Sequence, residues 1–366
     1  MRTLKILITA LAIFILSIPG IVSAQSTVYH GAFENHFFGW MPSARMEAMG
    51  KGFVGVSGDP HSYFVNPGAM GTLEGLNLTA GFANPYYLLR DAKYNNFSAS
   101  YNFENIGVIG ISRDYSDWGK IEYYGQTGSI IESTPKNYNY RLTYSREITD
   151  EFYAGINLNL FGFDSDVFGL RTEGSSVLAG IGVLKRINIF DAPKGDIQMD
   201  ASFGASLFNV TSSKLDLSNQ KEVLPVIVRV GGSYQLGVSI PGTPWNSKFL
   251  NILYAIEYQN VLNGEDYDGV KTGLELTLFE LLSLRGGFYS LGLRDQSACS
   301  NCKGKIQEVT YGAGINLPLK NLGITNIPAE FRFDLAVMPH PSQVNNPEDF
   351  DFGDYRVFNF SANVEF

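Results

Sequence analysis

The side chains that most often carry out chemistry are few in this chain and lie apart. Its four histidines are His30, His36, His61 and His340. None of them lies on a predicted strand beside a serine or aspartate partner. Because a nucleophile needs a base within hydrogen-bond distance, the sequence predicts that the protein is not an enzyme.

The two cysteines, Cys299 and Cys302, form a CxxC motif within ACSNCKG. A zinc site would need two further ligands, and no other histidine or cysteine is close in sequence. In an exported loop the pair is predicted to form a local disulfide. The acidic stretches 263–269 and 345–354 lack the spacing of a calcium loop, so no metal and no cofactor is expected.

The amino terminus carries the features of an export signal. Arg2 and Lys5 precede an apolar stretch that ends near Pro19, and the small-residue site VSA follows at 22–24. This order predicts a signal peptide over residues 1–24. An uncleaved membrane helix is the alternative, and the helix-breaking Pro-Gly pair before the VSA site argues against it.

From about residue 76 the chain repeats segments of roughly ten residues in which apolar and polar side chains alternate. In NYNYRLTYS the apolar set is Tyr138, Tyr140, Leu142 and Tyr144. The longest apolar run, at 177–184, is too short for a membrane-spanning helix. An all-β fold follows, and if the chain crosses a membrane, only a closed barrel of strands satisfies the backbone there.

The breaks between these segments are alternately short and longer. The longer ones include 115–135, 163–173 and 209–222. Short turns at one end and longer loops at the other are typical of outer-membrane barrels. Residues 76–366 are therefore predicted to form a transmembrane antiparallel β-barrel of about 14 strands, or about 16 if 117–133 forms a hairpin within the wall. A soluble, secreted all-β protein is the alternative, although it leaves the loop asymmetry unexplained.

The last ten residues, VFNFSANVEF, alternate in the same way and end on Phe366. In a barrel this side chain would be the lipid-facing end of the closing strand. A terminal aromatic residue resembles the signal that the barrel assembly machinery reads. The formal net charge of −9 argues against nucleic acid as a partner.

The faces predicted to point into the barrel carry charges of both signs. In a narrow lumen such charges pair with one another or with a plug, and we expect them to hold a plug in place. These residues are Arg141, Arg229, Glu257, Glu275, Arg285, Arg332 and Asp334.

Residues 25–75 do not alternate and are rich in glycine. Ser43 can cap a helical turn that Gly50 stops, and Asn66-Pro67 can start a second turn that ends at Gly71. The segment is too short for a domain of its own, so it is predicted to be a plug with short helices in the barrel lumen.

The stretch ARMEAMGKGFVGVSGDPHSYFVNPGAM resembles the N-terminal signature of barrels related to the FadL-type transporters of hydrophobic compounds. The resemblance is closer to the PorV/PorQ group. Gly68 stands where alanine is usual in that signature. The matching positions are Ala44, Arg45, Met49, Gly50, Asp59, Asn66 and Pro67, with Gly68 as the departure.

The resemblance implies a barrel in the outer membrane whose lumen is closed by the N-terminal segment. FadL-type members pass hydrophobic small molecules across that membrane. PorV-like members instead serve a type IX-like secretion system as shuttle or translocon partner, and a structural barrel without transport is a third possibility. The expected partners are outer-membrane lipid, the assembly machinery, and a hydrophobic small molecule or secretion proteins.

Overall fold

The computed structural model describes residues 39–83, 92–124, 130–167, 170–192, 196–217, 220–240, 248–262, 268–292, 305–319, 329–339 and 356–365. The predicted signal peptide, the CxxC pair and Phe366 lie outside these residues.

Strands dominate the described chain, which confirms the all-β prediction. Within residues 39–75, one short α-helix and two 3₁₀ helices precede them: α1 (Ala44–Ala48), Ser62–Phe64 and Pro67–Thr72. The strands are β1 (Leu76–Ala83), β2 (Lys93–Phe103), β3 (Gly107–Asp117), β4 (Ile121–Tyr124), β5 (Ile130–Ser133), β6 (Lys136–Thr149), β7 (Phe152–Val167), β8 (Leu170–Asp191), β9 (Ile197–Phe208), β10 (Lys214–Leu217), β11 (Gln220–Val223), β12 (Ile227–Ser239), β13 (Lys248–Val261), β14 (Asp268–Leu278), β15 (Leu282–Gly292), β16 (Lys305–Pro318), β17 (Glu330–Pro339) and β18 (Arg356–Glu365).

Fourteen of the described strands form one antiparallel sheet in which each strand pairs with the next one of the sheet along the chain. The first and last strands also pair, with Leu78 opposite Val364, so the sheet closes into a barrel. The hairpins β4–β5 and β10–β11 are separate two-stranded sheets. Residues 117–133 therefore add no strands to the wall, and its described strands agree with the lower of the two predicted numbers.

The break predicted near 163–173 is too long. Strands β7 and β8 stay paired up to Val167 and Leu170. The apolar alternation fades there, but backbone pairing needs no apolar face and the ladder continues without it. Alternation alone therefore made both strands too short.

The two faces of the barrel wall differ in polarity. Outward side chains such as Leu142 and Leu158 are apolar and 51% exposed. Inward side chains such as Asn139 and Glu257 are polar and fully buried. A soluble protein has the opposite arrangement, with its apolar face inside. No described helix is long and apolar enough to cross a membrane.

The two ends of the barrel also differ. The short-turn end carries tight connections, such as the one from Phe103 to Gly107 and the one from Leu278 to Leu282. The opposite, long-loop end carries the two hairpins that stand outside the wall. This contrast follows the alternation of break lengths predicted from the sequence.

Candidate functional site: the occupied lumen

Residues 40–73, here called the luminal segment, contact all fourteen described strands of the closed wall. A chain that touches every strand on the buried, polar face of a closed barrel lies inside it. The contacting pairs are Pro42 with Gly81, Tyr63 with Asn96, Met70 with Gly110, Gly68 with Ser145, Tyr63 with Asn157, Asn66 with Val183, Val65 with Ser206, Gly55 with Ser233, Phe53 with Glu257, Arg45 with Glu275, Gly50 with Gly287 and with Thr310, and Ala44 and Ala48 with Ala336, while α1 also lies against β18.

The first half of the luminal segment is built around α1. Ser43 caps this helix, because its hydroxyl accepts a hydrogen bond from the Met46 amide at 3.1 Å. Gly50 ends it with a φ of +62°, a conformation that suits glycine. Both features confirm the predicted turn. The Gly50 amide donates to the Thr310 hydroxyl at 3.0 Å, which ties the helix end to β16.

Gly50 also approaches the wall closely. A Cβ atom on Gly287 of β15 would lie 2.0 Å from the Gly50 nitrogen, and one on Gly50 would lie 2.6 Å from the Phe288 nitrogen. Neither distance is possible for a real side chain. The pair of glycines therefore lets the backbone of the luminal segment lie directly on the backbone of β15.

Arg45 is the centre of a buried ion cluster, here called the Arg45 cluster. Its Nη2 lies 2.6 Å from Glu275 Oε1 and its Nε donates to Glu275 Oε2 at 2.9 Å, a bidentate pair. Its Nη1 lies 2.9 Å from Asp59 Oδ2. Glu275 also pairs with Arg285, and Arg332 lies 3.4 Å from Glu275. One guanidinium thus joins two parts of the luminal segment to β14.

The charges of the Arg45 cluster balance within each partner. In the luminal segment Arg45 offsets Asp59. In the wall Arg285 and Arg332 offset Glu275 and Asp334. Arg285 lies 2.6 Å and Arg332 3.0 Å from Asp334. Separation of the two partners would therefore leave each one neutral.

The pKa values of the two groups in the luminal segment favour their charged forms. Burial alone would lower the pKa of Arg45, but the carboxylates of Glu275 and Asp59 raise it above its ordinary value. Burial would likewise raise the pKa of Asp59, but a hydrogen bond with His61 and the charge of Arg45 hold it well below its usual range. Arg45 and Asp59 thus stay ionised at neutral pH.

Glu257 of β13 holds the middle of the luminal segment. Its Oε2 accepts from the backbone amides of Phe53 and Val54, both at 2.9 Å. Its Oε1 lies 3.0 Å from Lys271 Nζ. The carboxylate therefore satisfies two amides that have no helix or strand partner, and a lysine of the wall balances its charge.

The second half of the luminal segment makes neutral hydrogen bonds through Asn66. Asn66 caps the 3₁₀ helix Pro67–Thr72 by accepting from the Gly68 amide at 3.0 Å. Its side-chain amide donates to the Val54 carbonyl at 2.7 Å and to the Val183 carbonyl of β8 at 2.9 Å. This one side chain shapes the turn, links the two halves and binds the wall.

The structure explains why Gly68 stands where the resembling signature has alanine. A Cβ at this position would lie 2.6 Å from the Gly182 carbonyl oxygen and 2.7 Å from the Val183 Cα. These are backbone atoms of β8 and cannot rotate away. Glycine lets the second turn approach the wall more closely than alanine would.

Tyr63 connects this half to β2 of the wall. Its hydroxyl and the Asn96 amide group are hydrogen-bonded, and Asn96 Nδ2 donates to Asp114 at 2.6 Å. The Arg141 guanidinium lies 5.1 Å from the Tyr63 ring centre and 5.0 Å from that of Phe64. These cation–π contacts place an inward arginine against apolar rings of the luminal segment.

A different layer fills the long-loop end of the lumen. It is apolar and buried, and we call it the apolar layer. The hairpin β10–β11 contributes Leu215 from its first strand, and Leu224 follows it directly; both are fully buried. The wall contributes inward-facing rings and aliphatic chains near strand ends. The members are Tyr94, Phe161, Phe163, Leu178, Phe208, Leu215, Leu224, Ile227 and Val261.

The structure places all residues of the predicted plug motif in contact with the wall or with one another. Ala44 packs with Ala48 and Ala336. The Met49 carbonyl oxygen lies 2.4 Å from the position that a Cβ on Gly273 would take, and the Pro67 carbonyl oxygen lies 2.4 Å from that on Gly155. The inward charged residues named from the sequence are buried or partly buried as expected.

Sequence reasoning missed Lys271, Tyr63 and the apolar layer. Lys271 lies on the inward face of DGVKTGLELTL and shares the alternation of Glu275, so the pattern contained that signal. The inward rings of β7 have no such signal, because apolar residues on both faces hide which face is which. Among the described residues, no group of histidine, cysteine and acidic side chains is placed to hold a metal ion.

The fold and its contents define a closed antiparallel β-barrel with an occupied lumen. No protein-family model matches the sequence. No curated protein matches it either.

Three solved structures illustrate the similarity in fold. A FadL homologue of Pseudomonas aeruginosa is 9% identical, covers 88% of this chain and 98% of its own, and has a TM-score of 0.48. The toluene transporter TbuX of Ralstonia pickettii is 10% identical with coverages of 88% and 96% and a TM-score of 0.44. The toluene transporter TodX of Pseudomonas putida is 11% identical with coverages of 88% and 96% and a TM-score of 0.45. At these values, what those proteins transport says nothing about the function of this chain.

Proposed function

We propose that this protein is an outer-membrane barrel that passes hydrophobic small molecules and whose luminal segment is a plug. The inverted polarity of the wall supports the membrane location, because outward Leu142 and Leu158 need an apolar surrounding. The contacts of the luminal segment with every strand support its role as a plug.

The apolar layer is the observation that carries the choice of cargo. A channel for ions or sugars is lined by polar side chains at its mouth. Here Phe161 and Phe163 point inward at the long-loop end and pack on Leu215 of the hairpin. Such a layer binds apolar molecules by excluding water.

The layer also suggests how access is controlled. Leu215 and Leu224 fill the space between the inward rings of the wall. A hydrophobic molecule can take the place of these two side chains, because it offers the inward rings a similar apolar surface. The β10–β11 hairpin is therefore a cover whose apolar side chains compete with the cargo.

Binding and uptake test the proposal together. A membrane-bound preparation is titrated with the apolar fluorophore N-phenyl-1-naphthylamine, and Phe161→Asp is compared with the outward variant Tyr140→Asp. We expect the inward change to weaken binding by about tenfold or more, since it puts a charge into the layer, and the outward change to leave affinity intact. Equal binding by both variants and the unchanged protein would contradict the proposal.

A strain without the gene distinguishes this function from a role in secretion. We expect lost uptake of hydrophobic compounds together with a normal set of secreted proteins. Normal uptake with secreted cargo held in the periplasm would overturn the transport proposal in favour of a secretion partner.

A further inference from the structure

The outer face of the barrel carries a groove over its first six wall strands. It has a volume of about 760 Å³ and is lined along β1, β2, β3, β6, β7 and β8. A barrel wall is convex outside, so a groove of this size needs a local reason. Its position is on the face that the proposed membrane location would turn toward lipid.

The side chains beneath the groove supply that reason. Thr79, Ser98 and Ser112 are paired neighbours on three adjoining strands and also border the groove. The Thr79 and Ser98 hydroxyls are hydrogen-bonded to each other at 2.5 Å. Small inward side chains that bond among themselves give the wall little support from the lumen, which is a local reason for a groove on the opposite face.

The groove itself is apolar. Leu78, Ile111, Leu142 and Leu158 line it on the outward face and are 40 to 61% exposed. They belong to one row of paired residues that runs across neighbouring strands. Their shape and polarity fit an extended hydrocarbon chain.

On the outward face, the charged side chain that borders the groove is Arg113, which lies on its long-loop side. Arg113 of β3 is paired with Phe97 and Tyr140, which are 45% and 49% exposed, so it lies on the outward face. Its Nη1 donates to Asn95 Oδ1 at 3.0 Å, and its guanidinium lies 4.7 Å from the centre of the Tyr115 ring. Both neighbours hold the cation in a defined position.

The rows on either side of Arg113 place it at a boundary of polarity. Toward the short-turn end the next row contains Ile111 and Leu142, and toward the long-loop end it contains Asn95 and Tyr115. Aromatic and amide side chains are typical of the membrane interface. An arginine costs little there, but it costs about 2–4 kcal/mol at the bilayer midplane.

We propose that this groove and Arg113 form a binding site for a phosphate-bearing membrane lipid. An acyl chain lies along Ile111, Leu142 and Leu158, and the phosphate accepts hydrogen bonds from the guanidinium. Arg113 gives one of its five N–H groups to Asn95 in the described structure, and its planar shape suits a phosphate. The site goes beyond the transport function and rests only on the proposed membrane location.

Lipid retention by the purified full-length protein tests the proposal. Native mass spectrometry in detergent measures binding of dioleoyl phosphatidylglycerol and of dioleoylglycerol, which has the same chains without phosphate. For Arg113→Gln we expect about tenfold weaker binding of the phospholipid, as for the loss of a charge-assisted hydrogen bond, and no change for dioleoylglycerol. The matched control is Arg146→Gln, which changes an exposed arginine at the short-turn end of β6.

A second pair of variants tests the groove. Ala99→Trp fills the groove from its floor, and we expect it to weaken binding of both lipids. Ala313→Trp adds the same side chain to the outward face of β16, outside the groove, and should change neither. Every variant is first checked for a shift in gel mobility on heating, which separates failure of the barrel from failure of the site.

Phospholipid binding that is unchanged in Arg113→Gln overturns the proposal. So does an equal loss of phospholipid and dioleoylglycerol in that variant, since it would show that the phosphate is not recognised. A soluble protein without the mobility shift would instead remove the membrane location on which the site rests.

Discussion

The two halves of the luminal segment are held in different ways. The first half, with α1, meets β14–β17 through the Arg45 cluster, where ion pairs dominate. The second half, with Asn66, meets β6–β9 through neutral hydrogen bonds and the cation–π contacts of Arg141, and both halves also lie against the wall at glycines. When the first half leaves the wall, the charges of each partner still balance. When the second half leaves, the Val183 carbonyl loses the hydrogen bond from Asn66. The comparison suggests that the α1 half separates more easily.

Deletion of the whole luminal segment should have the largest effect. Removing Ser43–Gly71 empties the lumen between the short-turn end and the apolar layer, and an emptied barrel of this size holds water. We expect planar bilayers to show steady conductance with the deletion variant and almost none with the intact protein. Large conductance from the intact protein would mean that the segment does not close the barrel.

A side chain placed beneath the second half should have the next largest effect. In Gly155→Val the new Cβ meets the Pro67 carbonyl, which lies 2.4 Å from that position. Because the Pro67 carbonyl is a backbone group and cannot rotate away, we expect the Asn66 half to be displaced and conductance to appear. Gly286→Val is the control, since no atom lies within 4 Å of its added Cβ. Similar conductance from both variants would contradict the register of the contact.

Loss of the Arg45 charge should have a smaller effect, confined to the α1 half. Arg45→Met keeps most of the apolar stem but breaks the bidentate pair with Glu275, for which removal of one partner costs about 3 kcal/mol. The wall arginines Arg285 and Arg332 still neutralise Glu275, so we expect brief openings rather than steady conductance. The control is Glu104→Gln in an exposed turn, which should stay closed.

Salt dependence sharpens the same comparison. Ions screen charges that are in contact with the solution. In Arg45→Met the loosened α1 half exposes the charges of Asp59 and of the wall cluster, so its openings should change with ionic strength more than those of Gly155→Val. Openings of both variants measured between low and high salt give this difference. Equal salt dependence would show that the two halves are not held by different forces.

Much of the wall could be predicted from the sequence, because alternation reports directly which face is buried. The roles of Ser43, Gly50 and Asn66 could also be predicted, because caps and turn residues act on neighbours a few positions away. The partner of Arg45 was not readable, because Glu275 lies 230 residues away and many inward acids share its pattern. The hairpin of the apolar layer and the outer groove likewise depend on how distant strands come together.

A reversible cross-link tests most directly whether the docked luminal segment closes the lumen. Ala48 of α1 packs on Ala336 of β17, so cysteines at both positions can join them in the Arg45→Met protein, with Cys299 and Cys302 replaced by serine. Single-channel recordings are made under oxidising and then reducing conditions. We predict that openings disappear when the cross-link forms and return when it is reduced. Openings that persist in fully cross-linked protein would contradict closure by the α1 half of the segment.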